Sequence, residues 1–217
     1  MFRYQIYFIF VLAFFSSIFS SEHLENTNIL RRKDDDTIIN KWVLKLISGA
    51  TTQIGKTILY DPSYQKISYP NGDFSIERGV CTDVIIRAFR SIGVDLQKLI
   101  HEDMQKNWSE YPTTIWGLKK TDKNIDHRRV PNMARFFKRL GMQVKDDNFL
   151  PGDIIVWDLG GGVLHVGILD TNKSWNTYLV IHNISSGVKQ ENILNSYKIV
   201  GKYRLNADAL RKLKIIK

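Results

Sequence analysis

The spacing of apolar residues changes once along this chain, at Pro151-Gly152-Asp153, and that change restricts the architecture more than any other feature. Before it, apolar residues recur every three or four positions, the period of a helical face. Ile38, Ile39, Trp42, Val43 and Leu46 predict a helix over 37–47, capped by Asp36 or Thr37 and ended by Gly49. Val84, Ile85, Ala88, Phe89 and Ile92 predict a second, stopped by Gly93, and Leu96, Leu99, Ile100 and Met104 a third. Pro131 opens a fourth, carrying Met133, Phe136, Phe137 and Leu140 and closed by Gly141. After the change the pattern is that of strands: 154–159, 164–170, 178–183 and 199–205, with Gly160-Gly161-Gly162 as a hairpin turn. Helices first and strands second describe an α+β fold with an antiparallel sheet. Residues 206–217 read as a short basic tail with helical character.

Two stretches carry neither period. Residues 57–80 read as extended chain and turns, with Tyr69-Pro70-Asn71-Gly72 a strong turn signal and Tyr60, Tyr64 and Tyr69 candidates to offer a hydroxyl. Residues 108–130 are irregular, and a loop of that length inside a compact domain suggests binding.

The N-terminus has the layout of a secretory signal over residues 1–20. Arg3 precedes the unbroken apolar run Ile6–Phe15, and small residues allow cleavage after Ser20. An uncleaved membrane anchor is the alternative, because apolar residues continue to Phe19. Residues 21–36, with Arg31-Arg32-Lys33 followed by three aspartates, read as a poorly ordered polar lead-in, leaving 37–205 as one domain. The formal charge of +9 would suit nucleic acid in a cytosolic protein; for an exported one it points to anionic cell-wall polymer or a membrane surface.

Export also gives weight to Cys81, the single cysteine in 217 residues. In an oxidising compartment an unpaired thiol is a liability unless it is buried or used. Gly79-Val80-Cys81-Thr82-Asp83 places it at a helix start, where free N–H groups and the helix dipole favour thiolate. Asp83 would oppose that if it lay near the sulfur, and would not if it caps the helix. A small buried hydrophobe remains the structural alternative. Downstream, strand alternation puts His165 on a face with Gly167 and Leu169, and His182 on a face with Tyr178 and Val180. If these strands pair, the two histidines lie side by side: His165 as base to the thiol and His182 as its orienter, with Asn183 the alternative orienter if the register slips. His101-Glu102-Asp103-Met104-Gln105 starts like a zinc-protease motif but has Gln105 where the second histidine is needed. No metal or organic cofactor is implied.

Gly79–Asp83, Pro151–Trp157, His165-Val166-Gly167-Ile168 and Val180-Ile181-His182-Asn183 resemble the NlpC/p60 papain-like superfamily. More closely, through His101–Met104 and Asn124–Pro131 as well, the chain resembles the YijF-like family of exported bacterial proteins, a domain of unknown function. The superfamily resemblance implies a papain-like α+β fold and a triad of Cys81, His165 and His182. It also implies amidase or peptidase action, typically on peptidoglycan peptides. Val80, Thr82 and Asp83 depart from the aspartate before the cysteine and the Ser-Gly after it that the superfamily usually carries, which leaves the cleaved bond open. Asp83, His101, Asp103, His127, Arg128 and Arg129 are the candidates for contact with substrate. The same chemistry with an amine in place of water would be acyl or peptidyl transfer, and a basic wall-binding module is the non-catalytic alternative.

Overall fold

The structure, a computed structural model, describes residues 33–216. The expected signal peptide and most of the polar lead-in lie outside them. The chain divides between Asn40 and Lys41, and the second unit carries everything that bears on function.

Residues 33–51 are helical (α1), so Asp36 and Thr37 sit inside the helix and do not cap it; the Thr37 hydroxyl donates to the Lys33 carbonyl. Gly49 does not end it either. A Cβ there would lie 2.1 Å from the Ser91 hydroxyl and 3.2 Å from the Ala88 Cα, so this glycine allows close helix approach, not a stop. Leu46, Ile47 and Ala50 are the residues α1 buries. Two short parallel strands, β1 (Leu59–Tyr60) and β2 (Arg78–Gly79), lie in the stretch expected to be extended. Next come α2 (Cys81–Ser91) and α3 (Leu96–Lys106), the latter capped by Asp95, whose carboxylate accepts the Lys98 N–H. The irregular stretch contains three 3₁₀ turns, at Trp108–Glu110, Thr113–Trp116 and Asp126–Arg128. Then α4 (Val130–Arg139) follows, with Pro131 in its first turn.

The sheet comprises β3 (Ile154–Asp158), β4 (Leu164–Ser174), β5 (Thr177–Asn183), β6 (Val188–Glu191) and β7 (Lys198–Tyr203). Their order is β6-β5-β4-β3-β7, every pair antiparallel. Helices first and an antiparallel sheet second is the expected α+β order. Two strand features differ from expectation. β4 runs on past Asp170 to Ser174 through a register shift, turning at Trp175 and Asn176, both at positive φ. β6 has a single buried apolar residue, Val188, and so no alternation to reveal it. The C-terminal segment is also part of the core: Asn206 caps α5 (Ala207–Lys212), which buries Ala209 and Leu210.

The two faces of the sheet are covered differently. Ile154, Ile168, Ile181 and Tyr203 share one face, on which Phe89 of α2 stacks with Phe137 of α4 (5.4 Å), and Phe137 meets Tyr203 (5.8 Å). Each such fully buried side chain contributes about 1.5–3 kcal/mol. The other face carries Ile155, Trp157, Leu169 and Val180, covered by Leu194 from the β6–β7 connection. Trp157 is held there by donating its indole N–H to the Leu194 carbonyl.

Candidate active site

Cys81 is the first residue of α2, and Asp83 fixes the turn that presents it. The Asp83 carboxylate reaches back to accept the Val80 N–H at 2.7 Å, so it is a cap. Its other contacts are with the Arg128 guanidinium, which donates to both carboxylate oxygens at 3.0–3.3 Å. The remaining Arg128 N–H groups go to the Asp61 and Ser63 carbonyls, and its plane lies over Phe74. Asn183 ties the same loop to the sheet by donating to the Gly79 carbonyl at 2.9 Å. The cysteine loop is therefore clamped on both sides.

The sulfur itself is buried. Burial pushes the thiol up to about 11 and the Asp83 charge adds to this, against the Val166, Thr82 and Cys81 N–H groups that favour thiolate. The helix start acts as expected, but desolvation exceeds it, and the resting group is a neutral thiol.

His165 and His182 are brought together by the β4–β5 pairing. His182 lies opposite Gly167, where a Cβ would meet the His182 Cβ at 3.1 Å and a Val180 methyl at 2.6 Å. Without that side chain the His182 ring leans along the sheet and its Nδ1 meets His165 Nε2 at 3.0 Å. Its own Nε2 meets the Glu191 carboxylate at 3.0 Å. Glu191 lies on β6 opposite Val180, so the chain His165–His182–Glu191 crosses three strands by diagonal steps. Trp157 stacks on His165 at 5.8 Å. Burial, with the neighbouring His182, pulls His165 down to about 3, so this imidazole too is neutral at rest. Asn183 faces the other way and serves the cysteine loop. Glu191 escaped the sequence reading because it lies on the unrecognised β6.

Cys81 and this chain approach each other at the start of β4. The Val166 N–H faces the sulfur, and Leu164 lines a cleft of about 370 Å³ together with Cys81. Alternation puts His165 on the Trp157 face and α2 on the opposite one. Among the described residues no hydrogen bond joins Cys81 to His165, and His165 Nδ1 has no hydrogen-bond partner. Tyr60, alone of the three candidate tyrosines, lines the cleft, with Ile115 and Trp116 from the second 3₁₀ turn across from it.

The candidates for substrate contact separate into four groups. Asp83 and Arg128 are spent on each other and on the loop. Asp103 accepts from Tyr111 at 2.6 Å, from Asn107 and from Arg139, and so joins α3 to α4. His101 pairs with Asp126 at 3.2 Å, and His127 is buried, its pKa pulled down to about 3 by burial and by Arg128. Of the six, only Arg129 lines the cleft without being committed by hydrogen bonds. Among the described residues no group of three or more His, Cys, Asp or Glu side chains is placed to hold a metal ion.

Fold and site together define a mixed α+β protein in which a cysteine-bearing helix abuts a histidine-bearing antiparallel sheet. The chain belongs to the family described as domain of unknown function DUF1287, whose model matches residues 47–205. It is similar to the uncharacterized protein YijF of Escherichia coli (strain K12), at 48% identity over 166 residues, which cover 74% of this chain and 80% of that protein.

Proposed function

We propose that this chain is an exported thiol hydrolase on a papain-like, NlpC/p60-type fold, cleaving an amide bond in peptidoglycan peptides. The observation that carries the chemistry is the hydrogen-bonded series His165–His182–Glu191, which ends one residue from the backbone amide facing Cys81. A structural histidine needs one partner; a relay of three groups fixes the ring plane and tautomer of the first. The peptidoglycan target rests on the superfamily resemblance and on the signal-like N-terminus.

With both groups neutral at rest, the thiol is deprotonated as it attacks, not beforehand. Cys81 Sγ bonds to the amide carbon while its proton passes to His165 Nδ1, and the carbonyl oxygen takes up negative charge. The Cys81 N–H, in the unpaired first turn of α2, stabilises that charge. The C–N bond then breaks, His165 returns the proton to the leaving amine, and a thioester remains. Water, activated by His165, releases the acid and restores the thiol. His182 holds the imidazole and Glu191 holds His182, stabilising the transient positive charge. The mechanism requires Cys81 Sγ and His165 Nδ1, which no hydrogen bond joins among the described residues, to come within hydrogen-bond reach.

The test is mass spectrometry of purified sacculi and soluble muropeptides after incubation with wild type, Cys81→Ala and His165→Ala. New free amines and carboxyls in the wild-type digest, absent from both variants, are the expected result. Cleavage that persists in Cys81→Ala overturns the mechanism. The elevated thiol pKa favours one competing reading, a wall-binding module with a structural cysteine. That reading predicts no product from wild type, with Cys81→Ala co-sedimenting with sacculi undiminished.

A further inference from the structure

We infer that Arg129 is the specificity-determining residue of the Cys81 cleft, and that it selects substrates carrying a free carboxylate beside the bond presented to the sulfur. This deepens the hydrolase reading and rests on it. The cleft is lined by aromatic and aliphatic groups and by two cations, Arg128 and Arg129, with no carboxylate among its lining residues. Arg128 is already saturated by Asp83 and two carbonyls. Arg129 is not. It forms only a looser ion pair, Nη1 to Asp126 Oδ1 at 3.8 Å, and neither of these two buried atoms has a hydrogen-bond partner.

The Asp126 carboxylate is held from its far side, through the oxygen that does not face Arg129. One of its carboxylate oxygens accepts the Asp122 N–H at 2.6 Å and faces His101. The Arg129 guanidinium, meanwhile, lies over the Trp116 ring at 4.4 Å, which fixes its plane. A planar, oriented, unsaturated fork is the donor that suits a carboxylate, through two parallel N–H···O bonds. Arg129 also borders a second cavity, of about 650 Å³, lined by Lys119, Lys120 and Lys123 against the single acid Asp122. The positive field therefore continues away from the sulfur, and an anionic chain extending from the cleft runs along it. Ile115 and Trp116 at the rim accept its apolar parts.

The test needs neither the natural substrate nor turnover. Iodoacetate and iodoacetamide alkylate Cys81 by the same displacement: the S–C bond forms, iodide leaves and the thiol proton goes to base. They differ in a carboxylate against a neutral amide. An ordinary thiolate repels iodoacetate, whereas a carboxylate-binding cleft draws it in. The iodoacetate-to-iodoacetamide rate ratio, measured at pH 9, is expected to exceed that of free cysteine. It should fall about tenfold or more in Arg129→Gln, a loss of about 1.4 kcal/mol, with partial recovery in Arg129→Lys and little change in Lys198→Gln, an exposed lysine outside both cavities. A second measurement on the wild type guards against misfolding of the variant: N-acetylglycine should protect Cys81 at lower concentration than N-acetylglycinamide. Equal protection, an unchanged ratio in Arg129→Gln, or no alkylation by either reagent overturns the inference. If the ratio behaves as expected while sacculi remain uncut by wild type, the hydrolase reading fails and the carboxylate site stands.

Discussion

A thiol at the first residue of a helix is subject to opposing effects, and at Cys81 their balance decides how the protein can react. Backbone N–H groups of the first turn favour the thiolate, while desolvation disfavours any charge at that depth. The second is larger here, and the thiol is pushed up to about 11. The sign follows directly: at neutral pH the resting group is S–H, and its anion grows in only as pH climbs toward that value. Iodoacetamide modification of the free protein should therefore accelerate steadily from pH 7 to 10, with no plateau in the range where a preformed thiolate–imidazolium pair would give one. A plateau below pH 8 would show that the pair exists before substrate binds. Arg128 and Arg129 make a related point. They are neighbours of the same residue type in one basic motif and both line the cleft, yet Arg128 is held by close hydrogen bonds to Asp83 while Arg129 meets Asp126 only at 3.8 Å. Side-chain type cannot separate them; partners do.

At the scale of elements, the β4–β5 hairpin is the part on which the proposed chemistry depends. Its strands were legible as short apolar runs, and the two-residue period of a strand put His165 and His182 on faces that meet if the strands pair. The register then follows from burial, since a slip by one would turn every side chain to the other face. Gly167→Ala should cost about 1–3 kcal/mol in urea unfolding, by overpacking against Val180. It should also displace the His182 ring, so that product formation falls further than stability alone would explain. Both the melting curve and the sacculus digest are needed to see this. β6 and Glu191 were not legible, because a short edge strand with one buried apolar residue has no pattern to detect. The reach of α1 was misjudged for a related reason: Gly49 is a helix breaker by propensity, but there the packing of α1 against Ser91 and Ala88 requires a glycine.

For the whole molecule, the buried histidines couple folding to pH. His127 and His165 are both held near 3, well below the ordinary value of 6.5. Both are neutral in folded and unfolded chains above pH 6.5, so their stabilising effect is complete there. Below it the unfolded chain takes up protons that the folded one refuses, and stability falls toward pH 3 by about 1.4 kcal/mol per pH unit for each group. Thermal melting between pH 7 and 4 should show this decline, and His127→Phe should flatten it; a slope unchanged by that substitution would remove His127 as a source. The order of helices and strands, the cysteine at a helix start and the facing of the two histidines are readable from the chain alone. Each of these follows from local periodicity and turn chemistry, which act over a few residues. Folding in three dimensions is what makes Asp83 a cap and an ion-pair partner, brings Glu191 to His182, leaves the thiol neutral, and leaves Arg129 in the cleft without a side-chain hydrogen bond. These depend on burial and on partners tens of residues away in the chain, and a charged side chain carries no mark of which neighbour will take it.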